Sequence, residues 1–190
     1  TMINTIKPYG RWEKICGKGR ILPAFPGAGG CIEGGILDAQ LLPRAIQPTT
    51  FGEIGGRKSS REEALAYIFR KSHIPYQIVP EMHHWQISHL GVIIPLADAY
   101  YQSRHPEKIC ANEKLMTLTA YRMKKNLKWI AQKGMLCPAK LYMIKDMPTG
   151  MLAGVLSRVY QSEFGNRFLY RHAMHAPEEF QRLHQDSIII

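Results

Sequence analysis

Between Arg20 and Pro80 the apolar residues come in short runs broken by glycine and proline. Arg20 to Phe25 runs into Pro26-Gly-Ala-Gly-Gly30, and Thr49 to Ile54 runs into Gly55-Gly56. Runs of this length between such breakers predict strands. One helix is predicted between the second run and the next. Ser60 with Glu63 three residues on reads as a capping box, Leu65, Ile68 and Phe69 follow at helical spacing, and His73 to Pro75 ends it. Tyr76 to Pro80 is a further short strand, so residues 20–80 read β, β, α, β, with a short helix around Trp12 to Ile15 leading in.

After residue 80 glycine thins out and the pattern turns helical. Met82 to Gln102 reads as one long, mostly apolar helix with Pro95 inside it. Such a proline removes one backbone hydrogen bond and kinks the helix. From Glu107 to Gln132, Met116, Ala120, Met123, Leu127 and Ile130 fall within an arc of roughly 80° at 100° per residue. Lys114, Arg122, Lys124, Lys125, Lys128 and Lys133 occupy the other side. The stripe is expected to pack inward against the helix that carries Trp85. Helices are also predicted for Thr149 to Ser162 and Arg171 to Gln185, with a turn at Gly165-Asn166. The fold class expected is α+β, mainly α, in two parts: residues 1–80 and an all-helical 81–190.

Composition narrows this picture. At 45% hydrophobic and 21% charged, the 190 residues are those of a globular chain and not a disordered one. The longest apolar stretch, Leu90 to Ala97, is less than half of the roughly 18 residues that a spanning helix needs. The first twenty residues mix Lys7, Arg11, Glu13, Lys14, Lys18 and Arg20, which does not fit a secretory signal. The chain opens on Thr1, so it reads as a piece of a longer protein. Cys16, Cys31, Cys110 and Cys137 have no C-x-x-C spacing, and they are expected as thiols in a reducing cytoplasm.

Net charge is +10, and Arg104 to Lys133 holds eight Lys or Arg against two Glu. A solvated helix face explains that pattern, and so would an anionic cofactor or metabolite. Nucleic acid is the least favoured reading, because only Tyr121 and Trp129 are interleaved with the lysines and no recognition motif accompanies them. Gly27-Ala-Gly29-Gly30 is not a dinucleotide fingerprint, since position 32 is Ile, and no Walker ending is present. His172-x-x-His175 with Glu179 has the spacing of ligands on a helix face but lacks the Glu of a zincin, and no metal is expected.

Several stretches together closely resemble the ketopantoate reductase (2-dehydropantoate 2-reductase) family, in a divergent branch. They are Met2-Ile-Asn4, Tyr9-Gly-Arg-Trp12, Gly17-Lys-Gly-Arg20, Ala24-Phe-Pro-Gly-Ala-Gly-Gly30, Phe51-Gly-Glu-Ile54-Gly-Gly, and Glu81-Met-His-His-Trp85 with His89 and Pro95-Leu96-Ala97. A weaker likeness extends to His172-Ala173, Ala176 and Glu179.

The resemblance implies that residues 1–80 are the end of a Rossmann-type, dinucleotide-binding domain whose glycine fingerprint lies upstream. Residues 81–190 would be a helical substrate and dimerisation domain. It implies an NADP-dependent oxidoreductase reducing a 2-oxo acid or related carbonyl, inactive as this fragment, with a homodimer as the expected assembly. The alternative is a binding or assembly module that keeps the fold without the chemistry. Asn4 matches the family Asn that contacts nicotinamide and substrate, although Ile3 and Thr5 replace its neighbours. The family's proton-donating Lys falls on Ile87, or on Gln86 after a one-residue slip, and a family Asn one turn later falls on Gly91. His89 is then the expected catalytic group acting near neutral pH, although it points about 160° away from Ile87 around the helix. Glu179 is expected to orient a substrate hydroxyl.

Overall fold

The computed structural model describes residues 1–103 and 105–187. It is mainly helical with a small mixed sheet, and it divides into two compact units, Thr1–Gln86 and Ile87–Ile190. The division falls six residues beyond the expected boundary, inside a helix.

In the first unit, α1 (Gly10–Cys16) precedes strands β1 (Ala24–Phe25), β2 (Ala28–Glu33), β3 (Ile36–Leu41) and β4 (Thr49–Phe51). Helix α2 (Ser60–Lys71) and strand β5 (Tyr76–Ile78) follow. The central sheet has the order β1-β4-β5, with β1 antiparallel and β5 parallel to β4, and Met2 adds a parallel bridge to Ala24. Phe51 is fully buried between Phe69 of α2 and Tyr76 of β5, with ring centroids 5.6 and 6.0 Å away. The helix cap sits one residue earlier than predicted. Ser59 is the N-cap, and its hydroxyl accepts from the Glu62 N–H at 3.2 Å.

The strand expected over residues 20–25 shrinks to its last two residues because the carbonyls before them have other partners. Arg61 donates to Gly19 O at 2.8 Å and Ile21 O at 3.0 Å, and the Thr1 nitrogen donates to Leu22 O at 2.7 Å. The same guanidinium grips Glu53 through both carboxylate oxygens, at 2.7 and 2.5 Å, and Ser59 Oγ also donates to Glu53. These bonds, Arg61's above all, hold the buried Glu53 carboxyl below the usual range.

The glycine-rich segment expected as a turn is instead the start of β2. Ala28 pairs with Leu41 and Glu33 with Ile36, closing a six-pair antiparallel hairpin. Gly34 and Gly35, at φ 58° and 80°, form its two-residue loop. Positive φ at both positions is the turn whose twist suits paired strands.

In the second unit, α3 (Met82–Gln102) runs on from Ile87, followed by a 3₁₀ turn (Pro106–Ala111) and α4 (Glu113–Gln132). Then come α5 (Lys140–Asp146), α6 (Thr149–Gln161), a π-helical segment (Gly165–Tyr170), α7 (Arg171–His175) and α8 (Pro177–Ser187). The π segment replaces the turn expected at Gly165-Asn166. Helix α5 was not expected at all, and the last predicted helix is broken at Ala176 (φ −128°, ψ 46°) ahead of Pro177. No helix of the described residues is long and apolar enough to cross a membrane. Among those residues Cys16, Cys110 and Cys137 are outside any disulfide. The expectation for the Cys31 thiol, and Arg104 of the basic run, lie outside the described residues.

The stripe on α4 is buried as expected: Met116, Ala120, Met123, Leu127 and Ile130 are all at most 3% exposed. It packs on α3 at Gly91, where a Cβ would stand 2.7 Å from Ile130 Cδ1. Pro95, four residues on, has no N–H to give to the Gly91 carbonyl. Asn126 of α4 supplies the missing donor, its Nδ2 lying 3.2 Å from Gly91 O.

Asn126→Leu is therefore expected to cost about 1–3 kcal/mol in the natural chain, the penalty of an unsatisfied buried carbonyl. In a Pro95→Ala background, where the backbone restores its own donor, the same change should cost much less. Urea unfolding of the four proteins measures the coupling, and equal costs in both backgrounds would show that Asn126 is not replacing the lost bond.

Candidate functional site

Asn4 belongs to the first unit, and His89 and Glu179 to the second. Asn4 sits in the segment after the Met2–Ala24 bridge, and that segment is fixed to the first turns of α3. Gln86 Nε2 donates to Ile3 O at 2.7 Å, and His83 Nε2 donates to Ile6 O at 2.8 Å. The Tyr9 hydroxyl in turn donates to Gln86 Oε1 at 2.6 Å, and its ring packs edge-on to His83 at 5.6 Å. Gln86 is 2% exposed with both ends of its amide engaged. It is a structural bridge, tied at its oxygen to Tyr9 and through one amide N–H to Ile3. The Trp85 ring lies 5.4 Å from Phe25 in the same unit.

Ile87 opens the second unit and is buried at 7% exposure. A lysine ammonium there would have to be desolvated among apolar groups. Ser88, fully buried, accepts from the Cys137 N–H at 3.1 Å and donates to Met135 O at 3.2 Å. Gly91 has no room for an asparagine, because Ile130 and Asn126 of α4 fill that space. Ile87, Ser88 and Gly91 on α3 are thus all occupied by packing or by structural hydrogen bonds.

His89 keeps part of its surface open, but burial, helped by the nearby His172, pushes its imidazole from the ordinary 6.5 down to about 3. At neutral pH it is uncharged. The sequence reading has His89 acting near neutral pH, and burial moves its titration below that range.

His172 of α7 acts on it electrostatically, and several groups around His172 were not singled out from sequence. The His172 ring packs edge-on to Phe180 at 5.2 Å, and Phe180 lies 6.4 Å from Tyr101. The Tyr101 hydroxyl donates to Ala173 O at 2.6 Å. Burial raises the Tyr101 phenol, and the charges of Asp98 and Glu179 raise it further, so Glu179 stands in the same neighbourhood. Asp98 pairs with His184 Nδ1 at 3.1 Å. Burial pushes the Asp98 carboxyl up, while His184 and Arg122 pull against it. Asp98 is the one acidic residue of α3, a signal legible in the sequence, whereas nothing local set Tyr101 apart from Tyr100.

His172, His175 and Glu179 do not share a helix, because the chain breaks at Ala176. His175 Nδ1 instead meets Arg171 O at 2.7 Å. No group of three metal-ligating side chains is found among the described residues. Compared with protein-family models, curated proteins and solved structures, the chain matches none.

The depressed pKa of His89 has a thermodynamic consequence. Its folded value lies below the unfolded one, so as pH falls the unfolded chain takes up this proton first. Stability is unaffected above about pH 6.5 and falls from there toward pH 3, by roughly 1 kcal/mol per pH unit. His89→Asn should flatten the dependence of urea-unfolding free energy on pH between 6 and 4 by about that slope. Parallel profiles for the two proteins would show that His89 is not held neutral.

Proposed function

We propose that this chain is the C-terminal part of a ketopantoate-reductase-like, NADP-dependent oxidoreductase that reduces a 2-oxo acid or related carbonyl. The observation that supports it best is the fixing of the Asn4 segment onto α3 through Gln86 and His83. It brings the residue matched to the family's nicotinamide- and substrate-contacting Asn beside the helix that carries the reacting groups in that family. In this reading residues 1–86 include the tail of a Rossmann-type domain, and the helical unit is the substrate side.

The residues present do not fit the cofactor's pyrophosphate. The glycine-rich segment runs into β2 and opens no helix, so it lacks the N-terminal N–H groups that hold such an anion. The reading therefore assigns those phosphates to residues outside this chain, and the 190 residues alone are inactive. On the substrate side, negative charge on a carbonyl oxygen must be met by positioned donors. Neutral His89 serves as a hydrogen-bond donor there, as a neutral imidazole can, and Glu179 orients a substrate hydroxyl.

A second reading is favoured by the occupied positions on α3. With Ile87 buried, Gln86 satisfied and His89 neutral, α3 holds no evident proton donor at these three positions. A non-catalytic binding or assembly module would carry that pattern without loss.

Residues 1–190 titrated with NADPH by fluorescence should show no micromolar binding, and such binding would refute the assignment of the phosphates elsewhere. A longer protein that includes the upstream sequence should oxidise NADPH with at least one of a panel of 2-oxo acids. His89→Ala should then lower kcat by roughly 10–100-fold, the scale of one lost donor. Cofactor binding without turnover on any carbonyl would favour the module.

A further inference from the structure

Cross-strand partners in a hairpin share a face, and alternate pairs share the same one. In β2–β3 one face is therefore Ala28, Gly30 and Ile32 beside Leu41, Ala39 and Leu37. All six are apolar, while Asp38 and Gln40 take the opposite face together with Ile36, which is 74% exposed. This apolar face is bare: Ile32 is 70% exposed, Leu37 68% and Leu41 46%, with Ala28, Gly30 and Ala39 also exposed. A two-stranded ribbon has little stability of its own, and an apolar face rimmed by polar groups marks an interaction surface.

We propose that this face is where two copies of the chain associate, hairpin on hairpin. Its relief is self-complementary. Ile32 and Leu37 form a raised row near the turn, and Gly30 with Ala39 forms a hollow row next to it. A two-fold axis passing between the rows sets each copy's raised row into the other's hollow, which is the geometry of an isologous contact.

Charge selects the same occupant. Residues 21–49 carry only Glu33, Asp38 and Arg44, a net −1 in a chain of +10. Two copies thus meet where their mutual repulsion is smallest. An anionic membrane surface or a nucleic acid would call for a basic rim that this stretch lacks. The patch is on the order of a few hundred Å² per copy, below the roughly 1,200 Å² total of stable complexes, so the dimer is weak and concentration-dependent.

Sedimentation velocity of the whole chain tests this over about 5–300 μM, the range suited to an interface of this size. The natural protein should shift from monomer toward dimer as concentration rises. Leu37→Lys should abolish the shift, as should Ala39→Arg, which fills the hollow without altering strand pairing, whereas Asp38→Asn on the other face should leave it intact. A natural chain that stays monomeric throughout would overturn the proposal, and so would a shift that survives both apolar-face variants. A fall of several degrees in the thermal midpoint of dilute, monomeric Leu37→Lys would mean that the chain's own residues cover the face, which also overturns it. The experiment reads mass and not turnover, so its outcome is independent of the reductase reading.

Discussion

Helix α4 approaches α3 at Gly91, where even a methyl group would be too close to Ile130. Close approach is only half of the constraint. Pro95 leaves the carbonyl at that same residue without its helical donor, and the seam can close over it only because Asn126 brings an amide. An unpaired carbonyl sealed under an apolar stripe would cost a sizeable part of the stability of a small unit. Gly91, Pro95 and Asn126 thus act as one device: the first lets the helices touch, the second creates a polar demand, and the third meets it.

What the seam uses is no longer free for chemistry. Ile87 is buried, Ser88 ties down the Met135–Cys137 stretch, and Gly91 lies under α4. Gln86 and His83 are spent on holding the Asn4 segment. The titration of the His89 ring is lowered by burial and by His172 of α7. Polar groups concentrate where α3 meets the last two helices, around Tyr101, Asp98, His184 and Glu179.

The elements set by local rules were legible in the sequence. The α4 stripe, the α3 span and the β4–α2–β5 order follow from periodicity and from breakers, which act over a few residues. The departures arise where distant groups decide. Arg61 draws off the carbonyls of Gly19 and Ile21 from forty residues away, so the first strand never extends. The hairpin was missed because its glycines were taken as punctuation. Gly29 and Gly30 instead lie within a strand, and only Gly34-Gly35 turns the chain. At the site, residue identity showed that no lysine was present on α3, but nothing local could show that Ile87 and Gly91 were filled by packing, or that His89 would be stripped of its charge.

The boundary between the units lies between Gln86 and Ile87, in the middle of α3, and not in a loop. Neighbouring residues of one continuous helix are committed to different cores. No flexible connector intervenes there, so the units cannot be dissected by cutting at a linker: any truncation that separates them must also cut a helix and expose a hydrophobic end on each product. Limited proteolysis of the folded chain has no natural target at that junction, and an insertion there would shift the register of everything that follows it by a fraction of a helical turn.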